Sequence, residues 1–447
     1  MTLSAAEEIE GSRFGLFHRL IILLIGLTLV FDGYDTFVPS YVIKYVMGPH
    51  GWGLLRSQVG LHIVSSGLFG FAVGALVHGS IADRVGRRAT LLGGMWIAGV
   101  FSLATALFAN DDRTFVTLRF LTGLGLGTLL PLATTYITEF APARGRNAFV
   151  VWGAAVGWVT GAVLASLIGI ILTPRFGWHA LFWFASLSLI VTIVAQFTLP
   201  ESPRYLALRA RFANLATLLT RIRPERAEFY REATYAIPPV VAGAGSPLAL
   251  LAPAYARNTV VIWVCAFLIL FDIYGLAGWL PTVMAARGEG FATSFGYGAL
   301  IQIMSLIGAF ACGAIADRRG SRKRPLMIWW LTGGVAVLLL ALVNGHLTNF
   351  VLIAAAGFFV IGGQFILNNF TAVAYPTALR ATGVGMELGI GRIGAILGPT
   401  IGGVLDANAF FGAMAIASLL SGLAITFSRP VHGDLASAPT MPQDAVA

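Results

Sequence analysis

Apolar runs of about twenty residues, parted by short polar stretches, recur along the whole chain. A helix needs roughly that length to cross a bilayer. The runs fall near 18–46, 57–78, 90–109, 114–138, 148–172, 179–198, 258–284, 294–316, 325–343, 349–374, 382–405 and 407–428, so the pattern predicts twelve membrane helices and an all-α protein. The longest polar interruption, 199–257, opens on "LPESPRYL", continues as a basic helical piece and ends in "AIPPVVAGAGSP". Proline and glycine there mark a linker. The expected organisation is a six-helix bundle over 1–198, a linker loop over 199–257, a second six-helix bundle over 258–428 and a tail over 429–447.

The two bundles repeat one pattern. "GSIADRVGRR" at 79–88 follows the second run and "GAIADRRGSR" at 313–322 follows the eighth. One offset of 234 residues relates Gly79 to Gly313, Asp83 to Asp317, Gly86 to Gly320, Pro142 to Pro376 and Arg146 to Arg380. "FDGY" at 31–34 is answered by "FDIY" at 271–274, and a proline follows each, Pro39 and Pro281. Parallel repeats of this kind mark transporters whose site lies between the repeats near the bilayer midplane.

Composition agrees. The chain is 57% hydrophobic and 11% charged, against about 25% charged in soluble domains. Its net charge of +9 raises the question of a nucleic-acid partner. The basic residues gather instead in alternate loops: Arg84, Arg87 and Arg88, then Arg144 and Arg146, the linker, and Arg318 to Arg324. That is the positive-inside asymmetry. It predicts cytoplasmic termini and needs no polyanion. Glu7, Glu8 and Glu10, with no small-residue cleavage site, make the first span a retained helix rather than a signal peptide. Cys265 and Cys312 fall in separate runs and suggest neither a disulfide framework nor a metal site. No cofactor and no obligate protein partner is indicated.

Against this apolar background a few polar residues carry the candidate chemistry. Asp32 and Asp35 share a helix face inside the first run. A charge at such a depth costs about 2.5–3.5 kcal/mol on insertion scales. Two readings stay open, a solvated helix end and a proton or ligand pathway. Arg392 lies about ten residues into its run among Gly389, Gly391 and Gly394. It needs an anion there: a substrate carboxylate gripped by the planar guanidinium, or Asp272, Asp32 or Asp35 in a permanent ion pair. Arg119 and Glu139 stand at the two ends of the fourth run and on the bare sequence could be interface residues. Gln364 and Asn368 are one turn apart, fit to bond a ligand or to join helices. Phe31, Tyr34 and Tyr274 are candidates to line an aromatic pocket, with packing as the alternative. "GIGRIG" at 389–394 has glycine spacing without a preceding strand, so a dinucleotide fingerprint does not follow. "GLGLG" at 123–127 reads as close helix packing.

The loop signature "GSIADRVGRR", with "DGYD" at 32–35, "RFLTGLGLG" at 119–127, "PESPRYL" at 200–206, "WLPT" at 279–282 and "GIGRIGAILGP" at 389–399, resembles the major facilitator superfamily, and within it the aromatic acid:proton symporter branch. The tail "SRPVHGDLAS" departs from the sugar porters' ending, and Glu387 in "GVGMELGIGR" departs from the branch's usual small or aromatic residue. The resemblance implies that the "DGYD" aspartates serve substrate binding and proton coupling and that Arg119 and Glu139 belong to a charge network. The candidates are then Asp32, Asp35, Asp272 and Glu139 for proton coupling, and Arg392, Arg119, Tyr34, Gln364, Asn368, Phe31 and Tyr274 for substrate binding. It implies gating through Asp83, Arg84, Arg87, Arg88, Asp317, Arg146 and Arg380. The expectation is a non-enzymatic carrier in a bacterial inner membrane, importing a benzoate-like acid with protons by alternating access. Carriage of nicotinate, shikimate or an aliphatic acid, export of amphipathic compounds, and a transporter-like sensor are the rivals.

Overall fold

The structure is a computed structural model in which residues 2–47, 51–143, 155–237 and 246–429 are described. Arg144 and Arg146 lie outside these residues. Eleven helices among them are long and apolar enough to cross a membrane: α1 Leu16–Val46, α2 Arg56–Val85, α3 Arg87–Phe108, α4 Asp112–Phe140, α5 Gly157–Phe176, α6 His179–Thr198, α7 Ala256–Ala286, α8 Phe291–Arg319, α9 Lys323–Leu342, α10 His346–Ala374 and α12 Ala407–Phe427. Between the last two runs α11, Thr377–Gly402. It is long enough to span, but Glu387 and Arg392 lower its hydropathy. Pro39 has no N–H to donate, and α1 is interrupted there, its first part ending at Phe37 and its second beginning at Pro39.

The chain divides into two units. The first is Met1–Val240 with Leu280–Ala285 and Gly290–Ala299, and the second is Val241–Trp279 with Ala286–Glu289 and Leu300–Ala447. The same helix pairs meet inside each. In the first unit α1 crosses α5, where a Cβ on Gly33 would lie 2.0 Å from the Trp158 carbonyl oxygen. The "GLGLG" run seats α4 between two neighbours. Gly123 and Gly127 face the α2 backbone at Gly67 and Phe71, and Gly125 faces α3 at Gly94 and Ala98. In the second unit α7 meets α11 through Gly394 and Gly398 against Phe267 and Phe271. There α8 meets α10 through Gly308 against Phe358, and α9 meets α12 through Gly334 against Leu419. Lipid tails give helices no hydrophobic drive to associate, so close backbone approach at small residues supplies the packing.

The first unit also gathers the N-terminal segment and the linker. Thr2–Leu3 pairs in parallel with Thr234–Tyr235. Leu3, Ala5 and Ile9 bury against Leu206, Leu215, Leu219 and Tyr230. Glu8 is clasped there. Arg223 lies 3.0 Å away, Arg226 2.7 Å, and the Tyr230 hydroxyl donates to it at 2.7 Å. Burial pushes the Tyr230 hydroxyl well above its ordinary pKa, and the neighbouring Glu8 adds to the shift.

Candidate functional site

In the first unit α1 carries Asp32, Tyr34 and Asp35 into the bundle. Arg119 of α4 donates to an Asp35 carboxylate oxygen at 2.6 Å and to the Asp35 carbonyl at 2.8 Å. The Ser102 hydroxyl of α3 donates to the other carboxylate oxygen. The guanidinium lies over the Phe182 ring, 5.4 Å from its centre. Arg119 is 1% exposed and Asp35 is 3% exposed, so this is a fully desolvated pair. Removing either partner would strand the other charge. Arg119, expected to meet substrate, is thus committed to Asp35. Sequence reasoning had no means of pairing positions 84 residues apart.

Asp32 is fully buried. With Thr28, Phe31, Asp35, Ser188 and Thr192 it lines a cavity of about 10 Å³, room for one water at most and far below an aromatic ligand. Tyr34 donates its hydroxyl to the Leu181 carbonyl at 3.0 Å and packs its ring on Phe184 at 4.9 Å. Phe31 also faces Phe184, at 6.2 Å. In this conformation both rings pack against α6.

In the second unit Arg392 of α11 is half-buried. It donates to the Tyr274 hydroxyl of α7 at 2.8 Å, with its guanidinium 5.6 Å from that ring's centre. Asp272, two residues earlier on α7, is fully buried and faces the Ser418 hydroxyl of α12. It forms no ion pair among the described residues, so the proposed Asp272–Arg392 bridge is absent here. Trp279 spends its indole N–H on the Pro399 carbonyl at 2.7 Å. On α10, Gln364 donates to Asn368 at 2.7 Å, and Glu387 of α11 is fully buried beside them.

A third cluster joins "GSIADRVGRR" to "PESPRYL". Gly86 takes a φ of 109°, a conformation open to glycine at little cost, and α3 starts directly after it. The Glu201 carboxylate accepts the backbone N–H groups of Arg87 at 3.1 Å and Arg88 at 3.0 Å. A negative group there suits the positive end of the helix dipole. Arg87 pairs with Glu139, which also receives the Ser202 hydroxyl. Arg88 donates to the carbonyls of Leu199 and Gln196. Arg209 donates to the carbonyls of Asp83 at 3.1 Å and Arg84 at 3.2 Å. Glu139, expected among the proton-coupling acids, therefore stands among the gate residues. Glu201 was not singled out, although the motif containing it was. The side chains of Asp83, Arg84, Asp317 and Arg380 are exposed. Among the described residues no cluster of three His, Cys, Asp or Glu side chains could hold a metal.

The family model described as Major Facilitator Superfamily matches residues 20–386. Similar proteins include the 4-hydroxybenzoate transporter PcaK of Acinetobacter baylyi, 34% identical over 94% of this chain and 92% of that one. A gallate transporter of Pseudomonas putida is 33% identical over 90% of this chain and 89% of its own. Among solved structures, the xylose transporter XylE from E. coli superposes with a TM-score of 0.70 at 17% identity, covering 92% of this chain and 97% of that chain. Family model, sequence relatives and helix architecture agree: the chain belongs to the major facilitator superfamily.

Proposed function

We propose that the protein carries a small aromatic carboxylate of the hydroxybenzoate kind inward together with protons, by alternating access, in a bacterial inner membrane. The observation that carries the substrate class is Arg392 on Tyr274. The Arg392 guanidinium stands inside an apolar helix with the Tyr274 hydroxyl 2.8 Å away. A planar guanidinium in this place can grip a ligand carboxylate through paired N–H···O bonds. The phenol of Tyr274 fixes the fork's direction and offers an aromatic edge. Relatives that carry 4-hydroxybenzoate, gallate and benzoate support the same class.

Proton coupling falls to the buried acids Asp32, Asp35 and Asp272. Asp35 is locked to Arg119, which favours Asp32 and Asp272 as the groups that take and release the proton. The Glu201 cluster would serve as a gate, breaking and reforming as the helices move. A niacin transporter of Acinetobacter baylyi at 29% identity keeps nicotinate as the second substrate reading, since it too presents a ring-borne carboxylate. Uptake into proteoliposomes under an imposed pH gradient, compared for 4-hydroxybenzoate, benzoate, nicotinate and 4-hydroxybenzamide, tests the assignment. The carboxylates should be accumulated and the amide refused. Equal handling of acid and amide would remove Arg392 as the clamp.

A further inference from the structure

The transport reading leaves one buried acid without a role. Glu387 lies on α11, fully buried. It sits about 7.5 Å along the helix axis from Arg392 and about 10 Å from Arg380. Gln364 and Thr371 of α10 face it. The titratable groups turned toward it are Cys265 of α7 and Tyr375 just past α10. None of these is a cation, and Glu387 forms no ion pair among the described residues. Its Oε2 makes no hydrogen bond, and in the same cluster Gln364 Oε1 accepts none.

A permanently ionised carboxylate could not sit in such a place cheaply, because charge buried without a counter-ion or a full set of donors is heavily penalised. The amides around it make both protonation states possible. One atom of the Asn368 amide lies 2.7 Å from Glu387 Oε1 and 2.7 Å from Gln364 Nε2. Which amide atom it is depends on the orientation assigned to the group. With the oxygen there, Gln364 donates to it, and the contact to Glu387 is a hydrogen bond only when the carboxyl carries its proton. With the nitrogen there, Asn368 donates to the carboxylate, and Gln364, whose Nε2 would otherwise face a second donor at 2.7 Å, must turn its Oε1 inward to accept from it. Half-turns of these two amides thus convert a site for the acid into a site for its anion. A structural acid kept neutral throughout would need only the first arrangement.

We propose that Glu387 is a proton-carrying site of the second unit, additional to the aspartates of the "DGYD" and "FDIY" segments. One proton passes from water to a Glu387 oxygen, and the same O–H bond breaks when the group next meets water, with Asn368 and Gln364 turning at each step. This inference rests on the symport reading above.

The test uses the full chain in proteoliposomes, with labelled 4-hydroxybenzoate as the probe. Wild type, Glu387→Gln and Glu387→Asp are each assayed for exchange without a gradient and for accumulation under a gradient of one pH unit. One proton fewer per substrate lowers the accumulation ratio about tenfold at that gradient. Glu387→Gln should therefore exchange at close to the wild-type rate and accumulate about tenfold less, while Glu387→Asp keeps both activities. Wild-type accumulation in Glu387→Gln would overturn this proposal alone. Loss of exchange together with accumulation in Glu387→Gln would make Glu387 a binding or structural group and overturn it as well. Failure of the wild type to respond to the pH gradient would overturn the symport reading and this proposal with it.

Discussion

The two units are built from the same helix pairs, yet they treat buried charge in opposite ways. In the first, the acid Asp35 meets a guanidinium and a hydroxyl and is satisfied within the unit. In the second, Asp272 and Glu387 form no ion pair among the described residues, and the Arg392 guanidinium donates to the Tyr274 phenol. A desolvated ion pair fixes a geometry, because neither charge can leave without stranding the other. Buried acids with no ion pair among the described residues are, by contrast, groups able to exchange protons. The repeated scaffold thus holds a locked pair in the first unit, beside the buried Asp32, and buried acids without such a lock in the second.

The sharpest way to break that comparison is to unlock the first unit. Arg119→Ala should destabilise the protein by about 3–5 kcal/mol, as the loss of one partner from a buried pair does. The double change Asp35→Asn with Arg119→Gln should recover much of this, since no lone charge remains. Thermal unfolding in detergent reads both, and a single variant as stable as the double would show that the pair is not a lock. Next in size is the anion site. Arg392→Lys keeps the charge and loses the fork, and hydrogen bonds to charged groups are worth about 1.5–3 kcal/mol. Affinity for 4-hydroxybenzoate should fall roughly 10- to 100-fold, since 1.36 kcal/mol is a factor of ten, with no comparable loss of thermal stability.

Smaller effects should follow away from the bundle interior. Glu201→Gln removes the carboxylate that holds the first N–H groups of α3, an end contact worth about 0.5–2 kcal/mol. It should change the rate of exchange more than ligand affinity, which separate flux and binding assays would resolve. A mutant with altered binding and normal flux would move Glu201 out of the gate. The smallest expected effect is Tyr230→Phe, which takes one hydrogen bond from Glu8 and should cost about 1 kcal/mol. It should show as faster amide exchange in Ala5–Glu10 with transport near normal.

Much of the scaffold could be read from the chain because lipid demands long apolar runs and tight helix crossings demand small residues. The repeat was equally legible in the paired loop signatures and in "FDGY" with "FDIY". The spans, the linker position and the packing role of "GLGLG" rest on such local signals. What the sequence withheld was pairing. Nothing local tells Asp35 that its partner is Arg119, or sends Glu139 to Arg87 and away from the acids of the midplane. Nothing in the run Glu7, Glu8 and Glu10 shows that Glu8 meets Arg223, Arg226 and Tyr230 of the linker. Helix α11, long enough to span but outside the eleven apolar helices, carries both Glu387 and Arg392, so polar side chains that blur a membrane signal mark a helix with chemistry.

The central claim is that substrate and protons move together, and external pH measures it most directly. Wild-type proteoliposomes in weak buffer, with membrane potential clamped, receive 4-hydroxybenzoate while an external electrode follows pH against protein-free vesicles. The account predicts alkalinisation outside, in step with uptake and beyond that of the protein-free control, and a much smaller signal with Arg392→Lys at a substrate concentration near the wild-type Kd. Protein-dependent uptake with no accompanying change in external pH would contradict it.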